Sequence, residues 1–381
     1  MKAKVCHLTS VHARYDTRIF LKQARSLARA EYEVFLVVAD GEGDEERDGV
    51  TILDAGRRAA KRLRRMRRTV KTVYRKGLTT GATIFHLHDP ELMPAGLKLR
   101  TQGFTVVFDA HEDLPKQLLG KHYMSKWAAR PLAMAVAIYE RFVCGRFDAI
   151  VTATPFIRDK FLRINPLTID VNNFPMLEEF DSGLGVQSAS ASTVEPTVCY
   201  IGGIDTIRGI HEMVNAMDLT RRRARLKIAG EFFQDSVAEE VRNLSGWHQV
   251  DHAGWLDRPG VKALLHDSLA GLVTLHPTDN YKDALPVKLF EYMSAGIPVI
   301  ASDFQLWHEI VERNECGLCV NPLDPLSIAQ AIDYLATHPD EAARMGRNGR
   351  RAVEERYNWP NEEQKLINLY DDLLSREEHL V

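Results

Sequence analysis

The chain has 381 residues, of which 45% are hydrophobic and 27% are charged, a composition typical of soluble globular proteins. It is too long for one ordinary core and predicts two domains of about 150–200 residues. No apolar stretch approaches the roughly 20 residues that cross a bilayer, and the apolar part of the N-terminus is too short for a secretory signal. The five scattered cysteines argue against a disulfide framework, so we expect a cytoplasmic protein.

Charge is divided unevenly between the two halves. Residues 1–175 carry 30 Lys and Arg against 19 Asp and Glu, a balance of +11. The remaining residues carry 19 against 33, a balance of -14, which leaves the net charge of -3. A basic half joined to an acidic half predicts that the first half meets an anionic partner.

Apolar strands alternate with helical stretches along most of the chain. In the first half, 16–30 has helical spacing, and strands are predicted at 4–11, 32–40, 82–89, 104–112 and 147–154. In the second half, strands are predicted at 197–204, 225–232, 247–256, 269–277, 297–303 and 316–322. Strands of this kind, separated by helices, indicate parallel sheets that are covered on both faces.

This alternation predicts an α/β protein with two doubly wound, Rossmann-like domains that face each other across a cleft. We place the first domain at 1–180, a Ser-, Ala- and Gly-rich linker at 181–196, and the second domain at 197–359. A last helix, at 360–381, is expected to pack back on the first domain. Ligands in such sheets bind beyond the carboxyl ends of the strands.

The first strand-to-helix loop is SVHARYDTRIF, residues 10–20. It lacks the G-x-G-x-x-G pattern, which argues against a dinucleotide cofactor. Asp16 is interpreted as the N-cap of the following helix, and Arg18 as a residue that could reach an anionic acceptor.

The segment 57–76 contains eleven basic residues and no acid. Ala59, Leu63, Met66, Val70 and Val73 fall at helical spacing and give a narrow apolar stripe. Such a helix suits an anionic membrane surface, although a core-facing helix with a solvated basic face has the same pattern. Nucleic acid is a poorer fit because few aromatic residues are interleaved.

A second long stretch, at 121–143, combines Trp127 with an apolar run. It could contact lipid, but a core helix is the favoured interpretation.

Polar residues cluster at two predicted strand ends of the first half. They are His86, His88, Asp89, Asp109, His111, Glu112 and Asp113. A metal site is not favoured, because we expect His86 and His88 to point to opposite faces of their strand. Cys316 and Cys319 form a lone pair, which is too little for a zinc site.

The stretch DALPVKLFEYMSAGIPVIASD, at 283–303, combines a loop, a helix and a strand. Asp283 precedes the helix and Glu291 lies more than one turn inside it. The helix start suits a phosphate, and each carboxylate could accept hydrogen bonds from a diol. The alternative is that Asp283 caps the helix and Glu291 is a solvated helix residue.

This stretch resembles the E-x7-E signature of retaining glycosyltransferases of family 4, which have the GT-B fold. The resemblance extends over most of the chain and is stronger in the second half. It implies that Asp283 holds hydroxyls of the transferred sugar and that Glu291 holds the ribose of the nucleotide. Asp283 departs from the family, where Glu is commonest at this position.

Other donor-site residues follow from the same resemblance. The stretch YIGGIDTIRGIHEMVNAM, at 200–217, is similar to the Gly-rich turn at which the family clamps the donor diphosphate. Gly203 stands where the first cation is expected, and Arg208 where the second is. The resemblance implies donor contacts for Gly202, Gly203, Arg208, Gly254, Leu285, Pro286, Val287, Lys288 and Glu291.

In the first domain, His111 matches the histidine that lies against the donor sugar. The resemblance implies catalytic roles for His111, Asp283 and Arg208, and the acceptor candidates are Arg18, Asp89 and Glu112. Members of this family usually need no catalytic metal, so no cofactor is expected.

We therefore expect a retaining transferase that moves a sugar from a nucleotide-sugar donor, with a UDP-sugar favoured. The expected acceptor is a lipid-linked saccharide in surface polysaccharide or O-antigen synthesis, at the inner face of the cell membrane. The alternatives are a nucleotide-sugar epimerase or hydrolase, an NAD-dependent oxidoreductase, and a non-catalytic protein that binds nucleotide sugars.

Overall fold

The computed structural model describes residues 2–61, 64–119, 126–177 and 195–378. The chain forms two compact units. The first comprises Met1–Asn173 together with Trp359–Val381, and the second comprises Phe174–Asn358. Most of the predicted linker at 181–196 lies outside the described residues, which resume at Glu195.

The first unit contains an eight-stranded sheet. Its strands are β1 (Lys4–Leu8), β2 (Glu33–Val38), β3 (Glu45–Arg47), β4 (Val50–Asp54), β5 (Ile84–Leu87), β6 (Thr105–Ala110), β7 (Ala149–Thr152) and β8 (Thr168–Asp170). They lie in the order β3-β4-β2-β1-β5-β6-β7-β8, and all neighbours are parallel except β3 and β4. The order reverses direction at β1, so the loops after β1 and β5 form the switch point at which such sheets bind ligands.

The helices of the first unit cover both faces of this sheet. They are α1 (a π-type segment, Thr17–Ala24, continued by Arg25–Arg29), α2 (Arg65–Thr69, continued by Val70–Leu78), α3 (Met93–Thr101), α4 (Leu114–Leu119), α5 (Lys126–Cys144), α6 (Pro155–Phe161) and, from the C-terminus, α15 (Trp359–Glu378). Helix α15 is part of this unit's core because Trp359 Nε1 donates a hydrogen bond of 2.9 Å to Ser26 Oγ.

The second unit is a six-stranded parallel sheet. Its strands are β9 (Thr197–Ile201), β10 (Arg225–Ala229), β11 (Val250–Gly254), β12 (Ala270–Val273), β13 (Val299–Ser302) and β14 (Gly317–Val320). They lie in the order β11-β10-β9-β12-β13-β14, and all neighbours are parallel. The direction reverses at β9, which places a switch point at the loops after β9 and β12.

The helices of the second unit complete the doubly wound pattern. They are α7 (Ile210–Leu219), α8 (Asp235–Arg242), α9 (Arg258–His266), α10 (Asp279–Lys282), α11 (Val287–Ser294), α12 (Gln305–Arg313), α13 (Pro325–Thr337) and α14 (Pro339–Glu355). The predicted α/β class with two Rossmann-like domains is confirmed. None of the described helices is long and apolar enough to cross a bilayer.

The basic segment is shorter as a helix than predicted, since 57–61 is not helical and α2 begins at Arg65. Val70 and Val73 are buried in the core of the first unit, whereas Met66 is exposed. The core-facing alternative is therefore correct for these two valines. Leu63 lies outside the described residues.

The interpretation of 121–143 as a core helix is correct for one face only, on which Ala129, Ala133 and Val143 are buried. Residues 121–125 are not among the described residues, and α5 spans Lys126–Cys144. Several of its large apolar side chains are exposed, including Trp127, which is 92% exposed.

Candidate functional site

The loop after β9 brings glycines close to other parts of the second unit. Gly209 has φ +81°, and a Cβ at this position would lie 2.1 Å from the carbonyl oxygen of Thr274. Gly202 has φ +110°, and a Cβ there would lie 3.4 Å from Lys288 Nζ. Glycine is needed for the backbone conformation and for the close approach, so the loop leaves room directly beside a lysine ammonium.

Two cations meet at this switch point. Arg208 donates from NH1 to the carbonyl oxygen of Gly203 at 3.1 Å, and its guanidinium lies 4.9 Å from the ring centroid of Phe233. Lys288 Nζ lies 3.6 Å from the ring centroid of Tyr200. This nitrogen is buried and has no hydrogen-bond partner among the described residues.

The ammonium of Lys288 is in an unfavourable environment without an anion. Burial, followed by the positive charge of Arg208, holds its pKa well below the usual range. The residue as a whole is partly exposed, but the nitrogen is not. Because Lys288 also lies in the first turn of α11, where backbone N–H groups are unpaired, an anionic group would find several donors here.

Glu291 is on the same helix and is 8% exposed, so it is not the solvated residue of the alternative interpretation. Its Oε1 accepts a hydrogen bond of 2.8 Å from Arg258 NH1, and the Arg258 side chain is largely exposed. Arg258 was not expected from the sequence. Its position three residues after the HAGW segment (252–255), at the start of α9, was the available signal.

Asp283 follows α10 directly, as its C-cap residue. The N-cap of α11 is Pro286, so Asp283 does not occupy the N-cap position of that helix. Asp283, Leu285, Pro286 and Val287 are all partly buried. The loop is anchored by Trp307, whose Nε1 donates to the carbonyl oxygen of Ala284 at 2.7 Å.

The ends of β10 and β11 are joined by hydrogen bonds at the same edge of the sheet. The N–H of Gly230 donates to the carbonyl oxygen of Gly254 at 2.7 Å, and the N–H of Trp255 donates to Glu231 Oε1 at 3.1 Å. The side chain of Trp255 is 74% exposed. An exposed aromatic ring beside Gly254 offers a surface on which a planar base can stack.

In the first unit, Asp109 is the centre of a buried hydrogen-bond network. Its carboxylate accepts from Arg18 Nε and NH2 at 2.9 and 2.6 Å, and from Gln23 Nε2 at 2.8 Å. His88 Nδ1 lies 3.2 Å away and His111 Nε2 lies 3.1 Å away. Burial opposes ionisation, but the charge of Arg18 and these histidine contacts hold the pKa of Asp109 well below its usual range.

This network changes the role predicted for Arg18. The side chain is buried, and its guanidinium is occupied by Asp109 and by the carbonyl oxygen of Val171, which NH1 reaches at 2.6 Å. Arg18 is therefore a structural partner of Asp109, and its placement at an exposed acceptor site is wrong.

The same network fixes the tautomer of His111. An ionised Asp109 accepts only, so His111 Nε2 carries the proton that is donated to it. The ring itself is partly exposed. In a neutral imidazole with this proton on Nε2, Nδ1 is the acceptor nitrogen.

Asp89 is also buried, and it holds the first loop. It accepts from Thr9 Oγ1 at 3.0 Å, from the Ser10 N–H at 2.6 Å and from Ser10 Oγ at 3.1 Å. Its remaining oxygen lies 3.4 Å from His12 Nε2. Asp89 therefore positions the loop, whereas the third acceptor candidate, Glu112, is exposed and accepts a hydrogen bond from Gln117.

His12 is a residue to which sequence analysis gave no role. Its two ring nitrogens lie 3.3 Å from Asp16 and 3.4 Å from Asp89. Burial lowers the pKa of His12, but the hydrogen bond that His12 donates to Asp16 and the charges of both carboxylates raise it overall. The ring centroids of His12 and His111 are 5.0 Å apart, so the two imidazoles are direct neighbours.

The prediction that His86 and His88 point to opposite faces is wrong. Residues two apart on a strand share a face, and the two ring centroids are 4.6 Å apart. With His7 they form a buried group whose ligand atoms lie within 4.8 Å of one another. Burial lowers the pKa of all three histidines.

These rings already have protein partners. His86 Nδ1 lies 2.8 Å from the Tyr370 hydroxyl, and His7 Nδ1 lies 2.8 Å from His88 Nε2. Asp303, His308 and Cys319 form another group with similar spacing in the second unit. Metal independence stays a prediction.

Two family models match the chain in succession. The model described as glycosyl transferase 4-like domain matches 17–170, and the model described as glycosyl transferases group 1 matches 187–352. Together they cover most of both units.

Curated relatives agree with these models at low identity. An uncharacterized glycosyltransferase of Methanocaldococcus jannaschii is 24% identical over 264 residues, covering 68% of this chain and 64% of the relative. An MMP alpha-(1->4)-mannosyltransferase of Mycolicibacterium hassiacum is 21% identical over 310 residues, covering 76% of this chain and 71% of the relative. The chain therefore spans slightly less than two thirds of the first relative.

Solved structures show the same fold over almost the whole chain. A sucrose-phosphate synthase from Thermosynechococcus elongatus has a TM-score of 0.76 at 19% identity, covering 98% of this chain and 100% of that chain. Anabaena HepE in complex with UDP-glucose has a TM-score of 0.72 at 13% identity, covering 97% and 100%. The chain belongs to the group 1, family 4 glycosyltransferases and has their GT-B fold.

Proposed function

We propose that this protein transfers a sugar from a nucleotide-sugar donor, a UDP-sugar in the favoured case, with retention of anomeric configuration. The observation that carries the proposal is Lys288 Nζ, which is buried near Arg208 and has no hydrogen-bond partner among the described residues. A donor diphosphate is the group that would satisfy both cations and the start of α11. The UDP-glucose bound to the HepE structure supports the choice of donor.

Glu291 is assigned to the ribose and Asp283 to the transferred sugar. Glu291 already accepts a hydrogen bond from Arg258. A ribose must therefore share the carboxylate with this arginine or displace the arginine from it. The exposed ring of Trp255, beside Gly254, is assigned to the base. His111 would accept a hydrogen bond from a sugar hydroxyl through Nδ1.

In the transfer step, the acceptor oxygen forms a bond to the anomeric carbon while the bond from that carbon to the leaving phosphate oxygen breaks. The leaving diphosphate takes the acceptor proton, and both events occur on one face of the sugar. Arg208 and Lys288 stabilise the charge that grows on the diphosphate. The remaining contribution of the protein is positioning, and no metal is required in this scheme.

The proposed acceptor is a lipid-linked saccharide at the cytoplasmic face of the membrane, in synthesis of surface polysaccharide such as O-antigen. The +11 balance of residues 1–175 and the basic outer face of α2 support an anionic membrane partner. Since Val70 and Val73 are buried, the basic segment 57–76 can contribute charge attraction but not these apolar groups. No nucleic-acid partner is proposed.

The donor is identified by a thermal-shift panel of UDP-, GDP- and ADP-sugars, because a ligand that binds the folded state raises the melting temperature. We expect one nucleotide class to stabilise the protein clearly above the others. Glu291→Ala should abolish this stabilisation, and Asp251→Ala, at an exposed carboxylate of the same unit, should retain it. Equal shifts in both variants would remove the assignment of the ribose site.

Catalysis is tested with the donor so identified. His111→Ala and Asp283→Ala are expected to lower turnover by more than they lower nucleotide affinity, because both residues are assigned to the sugar. Product formation should persist in EDTA. Rapid epimerisation or hydrolysis of the donor without an acceptor would favour the epimerase or hydrolase, and binding without any product would favour a non-catalytic protein.

A further inference from the structure

Helix α5 presents a row of large apolar side chains to solvent. Trp127, Met134, Ile138 and Phe142 are 92%, 64%, 64% and 50% exposed, and Pro131 is exposed with them. At about 100° per residue, these five positions fall on one face of the helix. Leu132 and Tyr139, also exposed, border this row.

The opposite face of α5 carries Val143, otherwise mostly small residues, and one acid. Ala129 and Ala133 are buried, and the buried carboxylate of Glu140 pairs with Lys160. The larger apolar residues therefore face outward, which reverses the pattern of an ordinary surface helix. A continuous apolar row of this size on a protein surface indicates an interaction site.

The charges beside this row are positive. Arg130, Arg141 and Arg146 are exposed, whereas the acid of the helix, Glu140, is buried. No exposed acid occurs among the side chains that the structure describes between 127 and 146. An apolar face bordered by arginines suits the boundary between lipid headgroups and acyl chains, where Trp is also favoured.

The basic helix α2 contributes to the same side of the first unit. Helix α3 contacts both α2 and α5, and Val73, Leu99 and Val143 from these three helices share one hydrophobic core. The three helices thus form one layer on one face of the sheet, and Arg67 and Arg68 of α2 are exposed. The positive charge of α2 and the apolar row of α5 belong to a single layer.

We propose that α5 lies flat in the headgroup region of an anionic bilayer leaflet, with its apolar row inserted and its arginines at the phosphate level. The inference rests on the proposed function for its setting, since a lipid-linked acceptor has to be met at a membrane. A second copy of the chain is a poorer occupant, because a symmetric contact through α5 would bring arginines against arginines. The anchor would therefore be α5, with α2 adding charge attraction.

The test is co-sedimentation of the full chain with phosphatidylcholine vesicles, with and without phosphatidylglycerol, at low salt and without donor or acceptor. We expect binding to the anionic vesicles that weakens as salt is added. Ile138→Glu should reduce the partition coefficient between vesicles and water by about tenfold or more. The reason is that burial of an isoleucine side chain contributes about 1.5 kcal/mol or more, which corresponds to at least this factor. Leu326→Glu is the matched control, because Leu326 is a helical residue of the second unit that is 48% exposed.

A second measurement uses the tryptophan of the row. Brominated lipids should quench part of the tryptophan fluorescence of the wild type. This quenched part should be missing in Trp127→Phe. Equal partitioning of Ile138→Glu and wild type, or equal binding to neutral and anionic vesicles, would overturn the proposal. So would a dimer in light scattering that Ile138→Glu converts to a monomer. Because no donor is present, these outcomes are independent of the test of transferase activity.

Discussion

Replacing Lys288 by Met should make the protein more stable and the donor bind more weakly. Lys288 Nζ is buried without a hydrogen-bond partner among the described residues, a situation that costs about 1–3 kcal/mol. Methionine keeps the length of the side chain and a favourable contact with the ring of Tyr200. Removing the nitrogen should therefore raise the free energy of unfolding by about 1–3 kcal/mol.

For a unit the size of Phe174–Asn358, this gain corresponds to a rise in Tm of roughly 2–12 °C. The affinity changes in the opposite direction, because a hydrogen bond from a charged group contributes about 1.5–3 kcal/mol. The Kd for the nucleoside diphosphate that stabilises the wild type most should therefore rise by roughly 10- to 150-fold.

The pH dependence has a definite sign. The pKa of Lys288 is well below the usual range in the folded state and about 10.4 in the unfolded chain. Between these two values the unfolded chain binds more protons, so wild-type stability should rise with pH. Lys288→Met should lose this contribution.

The measurements are chemical denaturation from neutral to alkaline pH and titration calorimetry with the nucleoside diphosphate. Lys282→Met, at an exposed lysine of the same unit, serves as the control and should match the wild type in both. A variant at position 288 that is less stable than the wild type, or that binds with wild-type affinity, would refute the assignment of a buried anion site.

Three further predictions concern the described contacts. Glu291→Gln should weaken nucleotide binding by roughly tenfold or more, as expected for a lost hydrogen bond to a charged group, whereas Arg258→Met should strengthen it by freeing the carboxylate; calorimetry measures both. Gly209→Ala should lower the free energy of unfolding by roughly 2 kcal/mol or more, because its Cβ would meet the Thr274 carbonyl oxygen at 2.1 Å and φ is positive; urea denaturation measures it. Asp109→Asn should destabilise the protein by about 3–5 kcal/mol because a buried arginine loses its counterion. Since the folded-state pKa of Asp109 is depressed, the stabilisation by the ionised carboxylate should disappear in the wild type below about pH 4. The variant should not show this decrease when the free energy of unfolding is measured against pH.

Each of these predictions has its own counter-result. Equal and parallel losses of affinity in the Glu291 and Arg258 variants would show that the pair binds the nucleotide jointly. Gly43→Ala separates conformational strain from collision, because Gly43 has φ +85° with no neighbouring atom within 4 Å. If Gly43→Ala lowers the free energy of unfolding as much as Gly209→Ala does, the close approach to Thr274 is not the cause of the destabilisation. Identical acid profiles of the Asp109 variant and the wild type would contradict an ionised, paired carboxylate.

Sequence patterns predicted the elements that obey local rules. Near-continuous apolar strands indicated both parallel sheets, and the glycines at 202 and 209 marked the turn after β9. The family resemblance carried by Asp283 and Glu291 predicted that the loop before α11 and this helix form the donor site. In each case the signal lies within one strand, turn or helix.

The errors arose where burial and partners are set by distant segments. Arg18 appeared in a polar loop, but its counterion is 91 residues away in the chain, and no local pattern reports that pair. The pKa of His12 is lowered by burial but raised by Asp16 and by Asp89, and Asp89 lies on another loop. The prediction for His86 and His88 failed for a different reason. Residues two apart on a strand share a face, so the two side chains should have been placed on the same side.

Helix α15 completes a unit that the chain began more than 300 residues earlier, since Trp359 and Ser26 are joined by a hydrogen bond at a separation of 333 positions. During synthesis, the first unit therefore cannot be finished until helix α15 leaves the ribosome, whereas residues 174–358 emerge before this helix does. Domains usually fold in order from the N-terminus. Here this order should be reversed, because the second unit can fold while the first unit still lacks helix α15. A released chain that stops after Asn358 should consequently show a protease-resistant second unit and a sensitive first one.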